Sequence, residues 1–214
     1  MRPVIYITGN RFHATLNTFT DIRKPNGAPL NSDDTLIVIG HFYIENFLVD
    51  REQELDKIKN IIPYTIIGLS GDYGSYFGNS DKYPDEERFG GTVKHIRSNV
   101  FQLYGGCAYL IDGKKLFVFN GAVSKGDPEY DLGVKCLKEN NYTFDYILSN
   151  HSMLSTVIYF MKGIRNIDLS GQTYLDKHLV NTNFKEYLFA QGPAVCPLVR
   201  LITDKDVYEL GSDV

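Results

Sequence analysis

Apolar and β-branched residues fall in short runs along the chain, bounded by Gly, Asn and Asp: Val4–Thr8, Thr35–Ile39, Tyr64–Leu69, Cys107–Ile111, Leu116–Asn120, Phe144–Leu148 and Pro197–Thr203. Runs of this length, rich in Ile, Val, Tyr and Phe, predict strands. Asp112-Gly113 separates two of them and predicts a hairpin turn, because glycine reaches positive φ without a Cβ clash. Asp204-Lys205-Asp206 ahead of Val207–Leu210 predicts a second hairpin. Helical spacing lies between the strands. Ile44–Asn60 is charged on one face and offers Phe47, Leu48, Leu55 and Ile58 for the other. Asp127–Asn140 opens with an N-capping Asp127 and with Pro128 at the first helical position. His151–Met161 and Thr173–Asn181 are further helix candidates, and Thr20–Asp34 and Gly71–Gly91 read as polar loops. Strands that alternate with helices and then give way to hairpins indicate a mixed α/β fold.

The 214 residues are too few for two ordinary domains and predict one, spanning 1–214. A net charge of -4 and the lack of a dense Lys/Arg cluster argue against a nucleic-acid partner. Cys107, Cys136 and Cys196 are odd in number and widely spaced. They match no zinc pattern and predict buried free thiols in a reducing cytoplasm. The chain opens on the strand-like run Pro3-Val4-Ile5-Tyr6-Ile7, which is not the pattern of a signal peptide. No run approaches the about 18 apolar residues that suggest a membrane span.

The polar chemistry gathers where strands are expected to end. Three early strands run into glycine-centred turns: Gly9-Asn10-Arg11-Phe12-His13, Gly40-His41-Phe42-Tyr43 and Gly71-Asp72-Tyr73-Gly74. A later one ends Ser149-Asn150-His151. Ligands of α/β sheets collect beyond the carboxyl ends of strands. Gly, Asn and Asp also favour turns for purely local reasons, so spacing alone leaves both readings open.

In motif order the chain resembles the calcineurin-like metallophosphoesterases, specifically the small bacterial and phage type. The resemblance rests on Ile5-Tyr6-Ile7-Thr8-Gly9, on Leu36-Ile37-Val38-Ile39-Gly40, and on the strand that leads to Gly71. It is closest in the middle of the chain, at Gly90-Gly91-Thr92-Val93, Ile96-Arg97, Asn99-Val100, Ile111-Asp112-Gly113 through Phe119, Gly121-Ala122 and Phe144-Asp145-Tyr146-Ile147-Leu148. It implies a four-layer sandwich of two mixed β-sheets flanked by helices. It also implies a reaction in which two divalent cations clamp a phosphate and activate water.

The same resemblance implies that the metal site is lost. The first motif's Asp and His positions hold Asn10 and Phe12, and the second motif's bridging Asp is His41. The third motif's Asn and neighbouring His are Asp72 and Tyr73. The strand-ending His corresponds to Asn150, with His151 beside it, and the final Gly-His-x-His aligns with Ala190-Gln191-Gly192-Pro193. Phe12 and Pro193 have no ligating atom, and Asn10 and Gln191 are weak donors beside Asp and His. Carboxylates clustered without metal repel one another, so losing cations and carboxylates together is self-consistent.

The resemblance therefore implies a pseudoenzyme without cofactor. It would act in the cytoplasm by binding a protein partner, as a phage-encoded inhibitor or regulator of a host system would. Two alternatives stand beside this one. One is a phosphoesterase with a rebuilt single-metal site on His41 and Asp72. The other is a nucleotide sponge that holds its ligand without hydrolysis. His13, Phe42, Tyr43, Tyr76, Phe77 and His151 would line the vacated cleft with Phe12 and Tyr73, either packing it shut or presenting a surface to a ligand or partner.

Overall fold

A computed structural model of the chain describes residues 3–14, 16–44, 50–69, 82–119, 128–150, 177–189 and 207–209, with the backbone alone for 10–14, 41–44 and 207–209 and for residue 18. Its elements are β1 (Ile5–Ala14), α1 (Leu16–Thr20), β2 (Thr35–Ile44), α2 (Arg51–Ile61), β3 (Thr65–Leu69), β4 (Asp85–Arg88), β5 (Gly91–Arg97), β6 (Val100–Leu103), β7 (Cys107–Ile111), β8 (Lys114–Phe119), α3 (Pro128–Glu139), β9 (Tyr146–Ser149), β10 (Glu186–Phe189) and β11 (Val207–Glu209).

The strands form two mixed sheets, one of seven in the order β11-β1-β2-β3-β6-β5-β4 and one of four in the order β10-β9-β8-β7. In the larger sheet β11, β1, β2, β3 and β6 run parallel, and β5 and β4 return antiparallel at one edge. In the smaller sheet β8, β9 and β10 are parallel and β7 is antiparallel to β8.

Alternation along each strand splits the apolar side chains between two cores, which is why these runs read as continuously hydrophobic. Ile5, Ile7, Ile37, Ile39, Ile67, Leu69, Phe101 and Leu103 of the larger sheet join Leu116, Val118, Tyr146 and Leu148 of the smaller in one buried cluster. The sheets therefore pack face to face. The alternate residues Tyr6, Leu36, Val38, Ile66 and Val100 bury against Phe19 of α1 and Leu55 and Ile58 of α2. Phe117, Phe119 and Ile147 bury against Cys136 and Leu137 of α3. Helices thus cover the outer face of each sheet, consistent with the expected α/β class and layered plan.

Several elements depart from the sequence expectations. The runs Val4–Thr8 and Thr35–Ile39 do not end in turns at Gly9 and Gly40. Both strands continue as a parallel pair to Ala14 and Ile44. The ladder survives because its irregularities balance. Gly9 pairs with Ile39 and Arg11 with Phe42, so Asn10 stands opposite two residues, Gly40 and His41. Ala14 then pairs with Ile44, so Phe12 and His13 stand opposite Tyr43 alone. Two bulges, one on each strand, restore the register. Gly40 sits at φ 81, which glycine adopts without strain.

The helix expected from Ile44 begins instead at Arg51. Asp50 caps it, its carboxylate accepting from the Gln53 amide at 3.0 Å. Phe47 and Leu48 lie outside the described residues.

The second polar loop contains strand β4, whose all-charged sequence hides it. Charges suit an exposed edge strand. β4 joins β5 through Phe89-Gly90, both at positive φ (56 and 78) as a type I′ turn requires. Phe is a poor residue for that backbone. It is held by packing edge-on to Phe101, with ring centroids 5.6 Å apart, and by its carbonyl accepting from the Leu110 amide at 2.6 Å. The Asp112-Gly113 hairpin forms as expected, with φ 46 and 77.

The first polar loop is pinned by a buried pair. Lys24 Nζ lies 2.8 Å from Asp34 Oδ2, and both side chains are almost wholly buried. Asp34 also accepts from the amides of Val4 at 3.0 Å and Asn31 at 2.8 Å. α3 spans Pro128–Glu139, and the expected capping Asp127 lies outside the described residues. Of Thr173–Asn181 only 177–181 is described, as one helical turn at 177–179 and the residues after it, and His151–Met161 and Pro197–Thr203 lie outside. Val207–Glu209 pairs parallel with the start of β1, and the expected antiparallel mate at 197–203 lies outside the described residues.

Candidate functional site

The carboxyl ends of β1, β2 and β3 lie side by side in one sheet, and those of β8, β9 and β10 in the other. One contact ties the two groups together. Asn150, just past β9, is buried, and its Oδ1 accepts a hydrogen bond from the Gly40 amide at 3.0 Å. Gly40 lies in the bulge of β2. A bulge disrupts the ladder locally, and a buried backbone N–H needs a partner. The Asn150 side chain supplies that partner across 110 residues of sequence.

The structure therefore brings together three positions singled out in the sequence. Asn10 faces Gly40 and His41 in the β1–β2 register, and Asn150 reaches Gly40 from the other sheet. Phe12, His13, Phe42 and Tyr43 follow on the bulged continuations of the same two strands. Asp72, Tyr73, Tyr76, Phe77, His151, Gln191 and Pro193 lie outside the described residues. The strands that lead toward them, β3 to Leu69 and β10 to Phe189, end beside β2 and β9. Among the described residues, no three His, Cys, Asp or Glu side chains gather into a group able to hold a metal ion. The Gly40 amide was not found from sequence, because a backbone donor carries no residue signature.

Away from the strand ends a charged cluster ties α2 to β5. Arg97 donates to Glu52 and to Asp56, each at 2.7 Å, and Lys82 and the Tyr83 hydroxyl also reach Glu52, at 2.8 and 2.7 Å. Burial raises the Glu52 carboxyl, but the hydrogen bonds from Lys82, Arg97 and Tyr83 outweigh it and hold the group at about 2. Burial and the facing Glu52 push the Tyr83 phenol up to about 12. The four charged side chains are committed to one another, so this cluster fastens the fold.

Cys107 and Cys136 are free, but only Cys136 is buried as expected; Cys107 is partly exposed, and Cys196 lies outside the described residues. Burial pushes both thiols up, Cys136 to about 11, which suits packing and not nucleophilic chemistry. Among the described residues no helix is long and apolar enough to cross a membrane. No family model matches the chain, and comparisons with curated proteins and with solved structures found no match.

Proposed function

We propose that this chain is a calcineurin-like phosphoesterase in architecture that acts by binding, with a protein partner at the strand-end cluster and no two-metal centre. The observation that carries this reading is the buried Asn150–Gly40 hydrogen bond. The resemblance assigns this strand end a metal-ligating imidazole. Here the side chain is an amide whose oxygen is engaged by the protein's own backbone. Phe12 and Pro193 support the reading through their chemistry, since neither side chain has a lone pair to offer a cation.

Two measurements test the proposal. Purified protein given manganese and a model phosphodiester is expected to show no turnover above buffer and no stoichiometric metal on elemental analysis. Hydrolysis that chelation removes and that His41→Ala and Asp72→Ala abolish would establish the single-metal enzyme instead. Binding is tested by capturing partners from a host lysate with the wild-type chain and with Phe42→Arg. A partner retained by the first and lost with the second supports the proposal, and equal capture by both counts against it. A nucleotide sponge would show itself in thermal shift, where ligand at 100 times its Kd adds about 2.7 kcal/mol.

A further inference from the structure

A concave surface lies on the outer side of the smaller sheet, against α3. α3 presents Tyr130, Val134 and Lys138 at successive turns along one wall, and His178 forms the other. The groove between them has a volume of about 450 Å³, within the roughly 300–1,000 Å³ of small-molecule sites. It shares Tyr130, Val134 and His178 with a small apolar recess lined also by Phe117, Phe119 and Leu137. The Tyr130 and His178 rings stand perpendicular with centroids 6.1 Å apart, so two aromatic surfaces meet in one corner of the groove.

Charge is distributed unevenly along it. Lys135 lies 3.8 Å from Glu139 on the exposed rim and is offset by it. Lys138 makes no ion pair among the described residues. Asp131 is seven residues earlier on α3, about 10 Å along the helix axis, which is about a Debye length at physiological salt. Lys177 adjoins His178. The end of the groove near Lys138 and His178 is therefore positive, and its body is aromatic.

We infer that this groove binds a small aromatic anion, with the ring against Tyr130, Val134 and His178 and its carboxylate or phosphate at Lys138. Burial and the neighbouring Lys177 and Lys138 keep the His178 imidazole below its usual range, so near neutral pH it offers a flat uncharged face to the ring. The positive end is then supplied by lysine alone. The inference is independent of the strand-end cluster, and neither stands or falls with the other.

Phenyl phosphate, benzyl alcohol and benzylamine, titrated separately into the intact chain, test it by NMR of the His178 and Tyr130 rings. Phenyl phosphate is expected to give saturable shifts at both rings, benzyl alcohol weaker ones, and benzylamine the weakest. Lys138→Glu should weaken phenyl phosphate binding by about tenfold or more, since it replaces attraction by repulsion at contact distance. Lys59→Glu, on the remote α2, should leave it unchanged. Val134→Trp should fill the groove and abolish the shifts. Absence of saturable shifts at Tyr130 and His178, a benzylamine response equal to that of phenyl phosphate, or indifference to Lys138→Glu would each overturn the inference. Lys138→Glu changes an exposed side chain, so the test survives if Val134→Trp fails to fold.

Discussion

The Asn150 side-chain oxygen accepts from the Gly40 amide at 3.0 Å, joining the end of β9 in one sheet to a bulge of β2 in the other. This contact lets β2 continue past Gly40 as a strand.

Removing the acceptor leaves a buried donor without a partner. Asn150→Ala is expected to destabilise the fold by about 1–3 kcal/mol, measured by urea denaturation. Gly40→Ala acts on the same joint through the backbone, because φ 81 is strained for any residue with a Cβ, and should cost about 1–2 kcal/mol. The two changes share one hydrogen bond, so the double variant should lose less than the sum of the singles.

Asp34 holds three groups at once: the Lys24 ammonium and the amides of Val4 and Asn31. Asp34→Ala would strand a buried cation and two amides and should destabilise by about 3–5 kcal/mol in the same assay. Lys24→Met leaves the carboxylate with its two amide donors, and a smaller loss is expected.

The Glu52 cluster predicts an acid-sensitive contribution. The carboxyl titrates at about 2 in the folded chain against an ordinary value of 4.5, so its folded-state pKa is depressed. The stabilisation is fully present above pH 4.5 and is lost as pH falls toward 2. Glu52 is substantially exposed, so solvent screening reduces the contribution to about 1 kcal/mol or less. Wild type and Glu52→Gln should differ in stability at pH 7 and converge by pH 2, measured by chemical denaturation across that range.

Local chemistry was legible wherever a residue type answers to its immediate neighbours. Asp112-Gly113 turns because both residues tolerate positive φ, and β7 spans Cys107–Ile111 as expected. α3 begins at Pro128 because proline suits a first helical turn. The Phe89-Gly90 turn was not legible, since phenylalanine takes positive φ only because Phe101 and the Leu110 amide hold it there. β4 was hidden by its four charged residues, which carry no apolar signal.

The candidate site divides along the same line. Sequence alone determined which side chains stand at Asn10, Phe12, His41 and Asn150, and with that the limits on their coordination chemistry. Only the tertiary structure decided that β1 and β2 run on through Gly9 and Gly40, because the deciding partner lies 110 residues away. A glycine that can end a strand can equally bulge within one, and which it does depends on whether the fold offers its amide an acceptor.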